Sequence, residues 1–209
     1  MLELGQVPSF PALLFMTVVV SMSGVLMPGP LFAVTVEKGR RNKYAGAFIA
    51  VGHGAVEFPL MGLIYLGFLQ FFVDEAFRRG VALIGGAMLV YMGAKIIASR
   101  KDAPEDNPGE VSTGSLLAGI LMTTANPYFF LWWATVGAVL IMSASYYGIA
   151  GFLIFAVIHW MCDLVWGLVV SMTVFKTRKF MMRGINDLIP VGCGILLVAF
   201  GLWFLSTSL

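Results

Sequence analysis

Gly24-Val-Leu-Met-Pro-Gly-Pro30, set inside one long apolar run, and Gly119-Ile-Leu-Met122 with Asn126-Pro127 shortly after it, inside another, decide how this chain folds. Proline has no amide hydrogen, and its ring collides with the carbonyl four residues earlier. Pro28 and Pro30 therefore break or sharply kink any helix that carries them, and Pro127 poses the same problem in the second run. In hydrocarbon the freed amides and carbonyls find no water. Such a break persists only where neighbouring helices, side chains or a water-filled cavity satisfy them. Breaks at matched places in two apolar runs point to half-helices whose ends face a central site.

Outward from these two stretches the chain remains apolar. Of 209 residues, 59% are hydrophobic and 11% charged, with a mean hydropathy of +0.91, whereas a soluble domain is roughly a quarter charged. A bilayer core of roughly 30 Å needs about 20 residues at 1.5 Å each. Six segments meet that length: Pro11 to Val36, Tyr44 to Phe72, Val81 to Ala98, Ser115 to Met142, Gly148 to Phe175 and Leu188 to Ser206. The first is too long for a signal-peptide core and lacks a basic flank, so it reads as a retained helix. A hydrophilic connector, 99–113, carries Pro104 and Pro108 and separates a first half, 1–98, from a second, 114–209, within one membrane domain.

Basic residues orient the chain. Lys38, Arg40, Arg41, Lys43, Lys95, Arg100, Lys101, Lys176, Arg178, Lys179 and Arg183 follow segments one, three and five, and only Arg78 and Arg79 lie on the other side. The positive-inside rule then places the odd connections in the cytoplasm and both termini outside, in a multi-pass protein of the inner or plasma membrane. Basic clusters this close to membrane segments attract anionic lipid, and no nucleic-acid partner is expected. Cys162 and Cys193 lie apart within apolar segments and read as inert packing residues.

The halves correspond beyond their breaks. Segment two carries His53 and Glu57, and segment five His159 and Asp163; segment three carries Gly86 and Gly93, and segment six Gly194 and Gly201. Each half has three crossings, so the second enters the membrane inverted relative to the first. The expected fold is an all-α membrane protein of six transmembrane helices, two inverted three-helix repeats with helices 1 and 4 interrupted.

Residues four apart share a helix face, so His53 should stand beside Glu57 and His159 beside Asp163, each pair near the middle of its crossing. A charge at that depth costs about 2.5–3.5 kcal/mol on insertion scales, which drives such groups to the interior and to partners. Hydrogen-bonded glue between helices is one reading. The others are a site that loads and unloads protons, one that holds a substrate ammonium, and one that holds a metal ion. Glu37, Lys38 and Lys95 are expected to snorkel to the interface. Tyr128, Phe129, Trp132 and Trp133 either pack or line a cavity. Gly46, Gly52, Gly54 and the four glycines of segments three and six permit close helix approach. No His-Glu-x-x-His element, Gly-x-Ser-x-Gly turn or paired cysteine appears, and an enzyme is not expected.

Met27-Pro28-Gly29-Pro30, the run Gly46 to Gly54 with Glu57 after it, and Asn126-Pro127 followed by aromatic residues resemble the lysine exporter (LysE/RhtB-type) family of amino-acid efflux proteins over nearly the whole chain. The resemblance implies export of amino acids or related small metabolites, driven by the proton gradient without a bound cofactor. It also implies that Pro28, Gly29, Pro30, Glu57, Asn126 and Pro127 lie at the substrate pathway. In an alternating-access cycle the substrate carboxylate would meet the amide end of a half-helix at Pro30 or Pro127, and its ammonium Glu57 or Asp163. The alternative is a divalent-metal transporter with His53, Glu57, His159 and Asp163 as ligands, a set suited to zinc or manganese. The glycine faces of segments three and six would suit a homodimer.

Overall fold

A computed structural model of the chain describes residues 9–98, 108–178 and 183–208; most of the expected connector lies outside them. Every regular element among the described residues is helical. The first apolar segment is α1 (Phe10–Val25) and α2 (Pro30–Gly39), bent by 78° at the Pro-Gly-Pro break. Pro30 takes the first position of α2, where its missing amide hydrogen and fixed φ do no harm. Residues of the second segment form α3 (Ala45–Tyr65), which ends earlier than its hydropathy predicts. Gly67 adopts φ +93° there, and the Phe68 amide bonds back to the Leu63 carbonyl, so the chain turns into a short α4 (Leu69–Val73). The helix α5 (Glu75–Ala98) starts sooner than expected because the Asp74 side chain accepts from the Phe77 amide and caps its first turn.

The fourth segment is divided more deeply than a kink. Helix α6 (Pro108–Thr124) reaches back into the stretch expected as connector, and α7 (Pro127–Trp132) begins after the break with Asn126 as its cap. A π turn over Trp133–Gly137 leads into α8 (Ala138–Ser145). Then come α9 (Gly148–Thr177) and α10 (Arg183–Ser208). Five helical stretches are individually long and apolar enough to span a membrane: α3, α5, 127–145, α9 and most of α10. The bent pair α1–α2 makes a sixth if counted as one crossing.

Helices α3 and α9 form the centre and run antiparallel, since Gly46 faces Gly167 and Ser171 while Gly54 faces Trp160 further along. Helix α1 leans on α9 and α6 on α3; α2 lies against α9 and α10, and α5 packs along α10. Two apolar clusters result. One joins Leu13, Met61, Trp133, Ile141 and Phe155; the other joins Val34, Ile49, Leu89, Met122 and Leu197. Along α3, Ile49 belongs to the second and Leu60 to the first, and Glu57 falls between them. Outward faces are apolar too, with Phe15 and Ile84 more than 70% exposed, as lipid-facing surfaces require.

Two expectations change. Gly86 meets Gly201 and Gly93 meets Gly194 across the α5–α10 contact, so these glycine faces are covered within one chain and do not supply a dimer surface. Glu37 is buried rather than snorkelling, 9% exposed, because α2 turns inward after its break; its carboxylate pairs with Arg41 at 3.5 Å.

Helix association inside a membrane rests on close packing rather than on the hydrophobic effect. The tightest approach is Gly46 on Gly167, where a Cβ added to Gly46 would collide with the Gly167 carbonyl. Gly46→Ala is expected to destabilise by about 1–3 kcal/mol, whereas Gly80→Ala, with nothing within 4 Å of its Cβ, should leave stability unchanged or raise it. Thermal unfolding of both variants in detergent checks this.

Candidate functional site

The α3–α9 crossing brings four ionisable side chains into one buried cluster. Glu57 is 1% exposed, and its Oε1 lies 3.0 Å from His53 Nε2 and 3.2 Å from His159 Nε2. One carboxylate oxygen thus serves two imidazoles from two helices. Asp163 stands further off, with its Oδ1 3.9 Å from His53 Nε2 and its Oδ2 3.8 Å from His159 Nε2. His53 and Glu57 pair along α3 as their spacing predicts. His159, by contrast, bonds across to Glu57 rather than along α9 to Asp163. A shared face is not enough to bring two side chains to hydrogen-bond distance, and the antiparallel crossing places Glu57 closer.

The far nitrogens of both rings are engaged as well. His159 Nδ1 lies 2.7 Å from Ser21 Oγ on α1, and His53 Nδ1 lies 2.8 Å from Thr123 Oγ1 on α6. Each hydroxyl sits ahead of a break, Ser21 about two helical turns before Pro28-Gly29-Pro30 and Thr123 about one before Asn126-Pro127. Sequence reasoning missed both. Their position ahead of a proline break was the available signal. Trp132, Trp133 and Phe155 enclose His159, and Phe129 meets the edge of His53. The π turn at Trp133 belongs to this wall, a feature that often marks functional sites.

Beside the cluster lies a cavity of about 150 Å³. Both interruptions reach it: Pro28, Gly29 and Pro30 line it on one side and Asn126 on another, with His53, Glu57, His159 and Asp163 between. Pro127 is not among its lining residues; it starts α7 directly behind Asn126, whose Oδ1 accepts from the Tyr128 amide at 3.1 Å. Three buried polar atoms here have no hydrogen-bond partner among the described residues: Glu57 Oε2, Asp163 Oδ2 and the indole nitrogen of Trp166. Native interiors rarely leave such atoms unsatisfied, so they mark where a ligand or water belongs. Trp166 lies one turn beyond Asp163 on α9, which the sequence alone did not single out.

The four groups do not converge as one metal shell. His53, Glu57 and Asp163 each offer an atom within 4.8 Å of one another, but His159 falls outside that set. Both rings direct Nε2 to the same carboxylate oxygen rather than to a common centre.

The unequal roles of the two carboxylates can be measured. Glu57→Leu strands two buried imidazole donors, at about 1–3 kcal/mol each, and is expected to lower stability substantially. Asp163→Leu removes a buried carboxylate that makes no contact shorter than 3.8 Å to either ring, and should be neutral or stabilising. Comparative thermal unfolding in detergent separates the two.

No curated protein and no solved structure gives a significant match. A family model described as LysE type translocator matches residues 22–208, a span holding both helix breaks and all four ionisable residues, and the chain belongs to that family.

Proposed function

We propose that this protein exports amino acids or related small metabolites in exchange for protons, by alternating access between two inverted three-helix halves. Membership of the translocator family supports a transporter of small solutes and does not favour metal cargo. The observation that carries the finer reading is the placement of two unpartnered carboxylate oxygens, Glu57 Oε2 and Asp163 Oδ2, at a cavity bounded by both interrupted helices. A zwitterion fits that chemistry. Its ammonium meets the carboxylate oxygens; its carboxylate meets donors at the first turn of α2 and the Trp166 indole N–H. The α2 end is the better anchor, because Asn126 already occupies the first turn of α7. A cavity of 150 Å³ holds a molecule about the size of benzene, which suits a small amino acid.

Exchange follows from competition. A proton taken up from outside by the buried cluster adds positive charge beside the ammonium and releases it; its loss to the cytoplasm restores the site for the next substrate. The basic residues at the ends of α2, α5 and α9 support a cytoplasmic location for those ends and an outside location for both termini.

The test is counterflow and proton-driven transport in proteoliposomes with a panel of amino acids and divalent metals. Amino-acid counterflow is expected. Glu57→Gln and Asp163→Asn should insert and fold yet lose at least tenfold in proton-driven transport. Unchanged transport in both variants, or counterflow of metals alone, refutes the assignment.

A further inference from the structure

The hydroxyls at the two breaks are not equivalent, and counting their hydrogens places a proton. Thr123 Oγ1 lies 2.7 Å from the Gly119 carbonyl as well as 2.8 Å from His53 Nδ1. Two oxygens 2.7 Å apart without a hydrogen between them repel, so the single Thr123 hydroxyl hydrogen goes to Gly119. Thr123 can then only accept from His53, whose Nδ1 must carry a hydrogen. His53 Nε2 faces the Glu57 carboxylate at 3.0 Å and must carry one too. With both nitrogens donating, the ring is doubly protonated. On the other arm, Ser21 has no second acceptor among its described contacts. Its hydroxyl donates to His159 Nδ1, leaving a neutral ring that gives its Nε2–H to Glu57.

We infer that His53 holds the exchangeable proton of this site, and that Thr123 and Ser21 are positioning residues that keep the two imidazoles in different protonation states. The inference rests on the transport reading only for the word exchangeable; the uneven protonation stands on the hydrogen-bond geometry alone. Groups facing His53 are Glu57 on its own helix, Asp163 and His159 on α9, Thr123 on α6 and the ring of Phe129 on α7. When His53 gives up its Nδ1 proton to the cavity, the Thr123 hydroxyl must turn from Gly119 to the bared nitrogen; only N–H and O–H hydrogens change place. That turn removes the side-chain bond from the Gly119 carbonyl, a back-bond of the kind that bends a helix, close to the Ala125–Asn126 break. Proton loss is thereby linked to the bend of an interrupted helix.

The chain has only two histidines, so their states can be read directly. In full-length protein labelled with ¹⁵N-histidine in lipid nanodiscs at neutral pH, one imidazolium and one neutral Nε2–H ring are expected, assigned with His159→Gln. Thr123→Val removes the acceptor for the His53 Nδ1–H and should move the imidazolium titration toward acid by about one pH unit, a tenfold change. Thr123→Ser should restore it. Ser21→Ala removes the donor that stabilises neutral His159 and should move the second ring toward alkali. Proton-driven transport in proteoliposomes should follow the Thr123 shifts. Two neutral rings in the wild type, or an unmoved titration in Thr123→Val with transport intact, overturns the inference. The expected spectra in a protein that moves no amino acid leave the uneven pair standing and sink the transport reading.

Discussion

The sharing of one buried carboxylate oxygen by imidazoles from two antiparallel helices is the constraint around which the rest of the molecule is arranged. An isolated charge in a membrane interior is costly, and its cost falls only when partners surround it. Glu57 meets that requirement by standing where α3 crosses α9, between two apolar clusters, so that His53 and His159 close on it from either side. The glycines of the crossing follow from this. Gly46 against Gly167 lets the two backbones of that crossing touch.

The helix breaks are part of the same arrangement rather than separate features. Each interrupted helix presents a hydroxyl to one imidazole and its broken end to the cavity. Ser21 and Thr123 connect the protonation of the rings to the segments least bound by regular hydrogen bonding. Freed backbone near Pro28-Gly29-Pro30 and at Asn126 borders the cavity, the condition under which irregular backbone is tolerated at membrane depth. The π turn at Trp133 and the aromatic wall around His159 complete a chamber that is apolar around its rings and polar at its unpartnered oxygens.

Much of this was legible in the residues. Hydropathy marked the apolar runs, and proline chemistry located both breaks to within a residue or two. The expense of burying His53, Glu57, His159 and Asp163 argued that they would cluster inside, and they do. What misled was one-dimensional pairing. Spacing of four residues suggested two separate couples, but distance in a helix bundle is decided by which faces cross. The dimer surface failed for the same reason: glycines that look available on two separate helices face each other once α5 and α10 pack.

Composition and hydropathy alone determined that this chain lives in a membrane, because every residue contributes its transfer energy independently of its neighbours. Proline position alone determined where helices must stop, because that restriction is covalent and local. Only tertiary structure decided which oxygen each imidazole meets, that Ser21, Thr123 and Trp166 belong to the site, and that Glu37 turns inward. Those facts depend on contacts between residues up to 138 positions apart in the chain, and the crossing of α3 and α9 that creates them is a property of packed backbones, which no local pattern encodes.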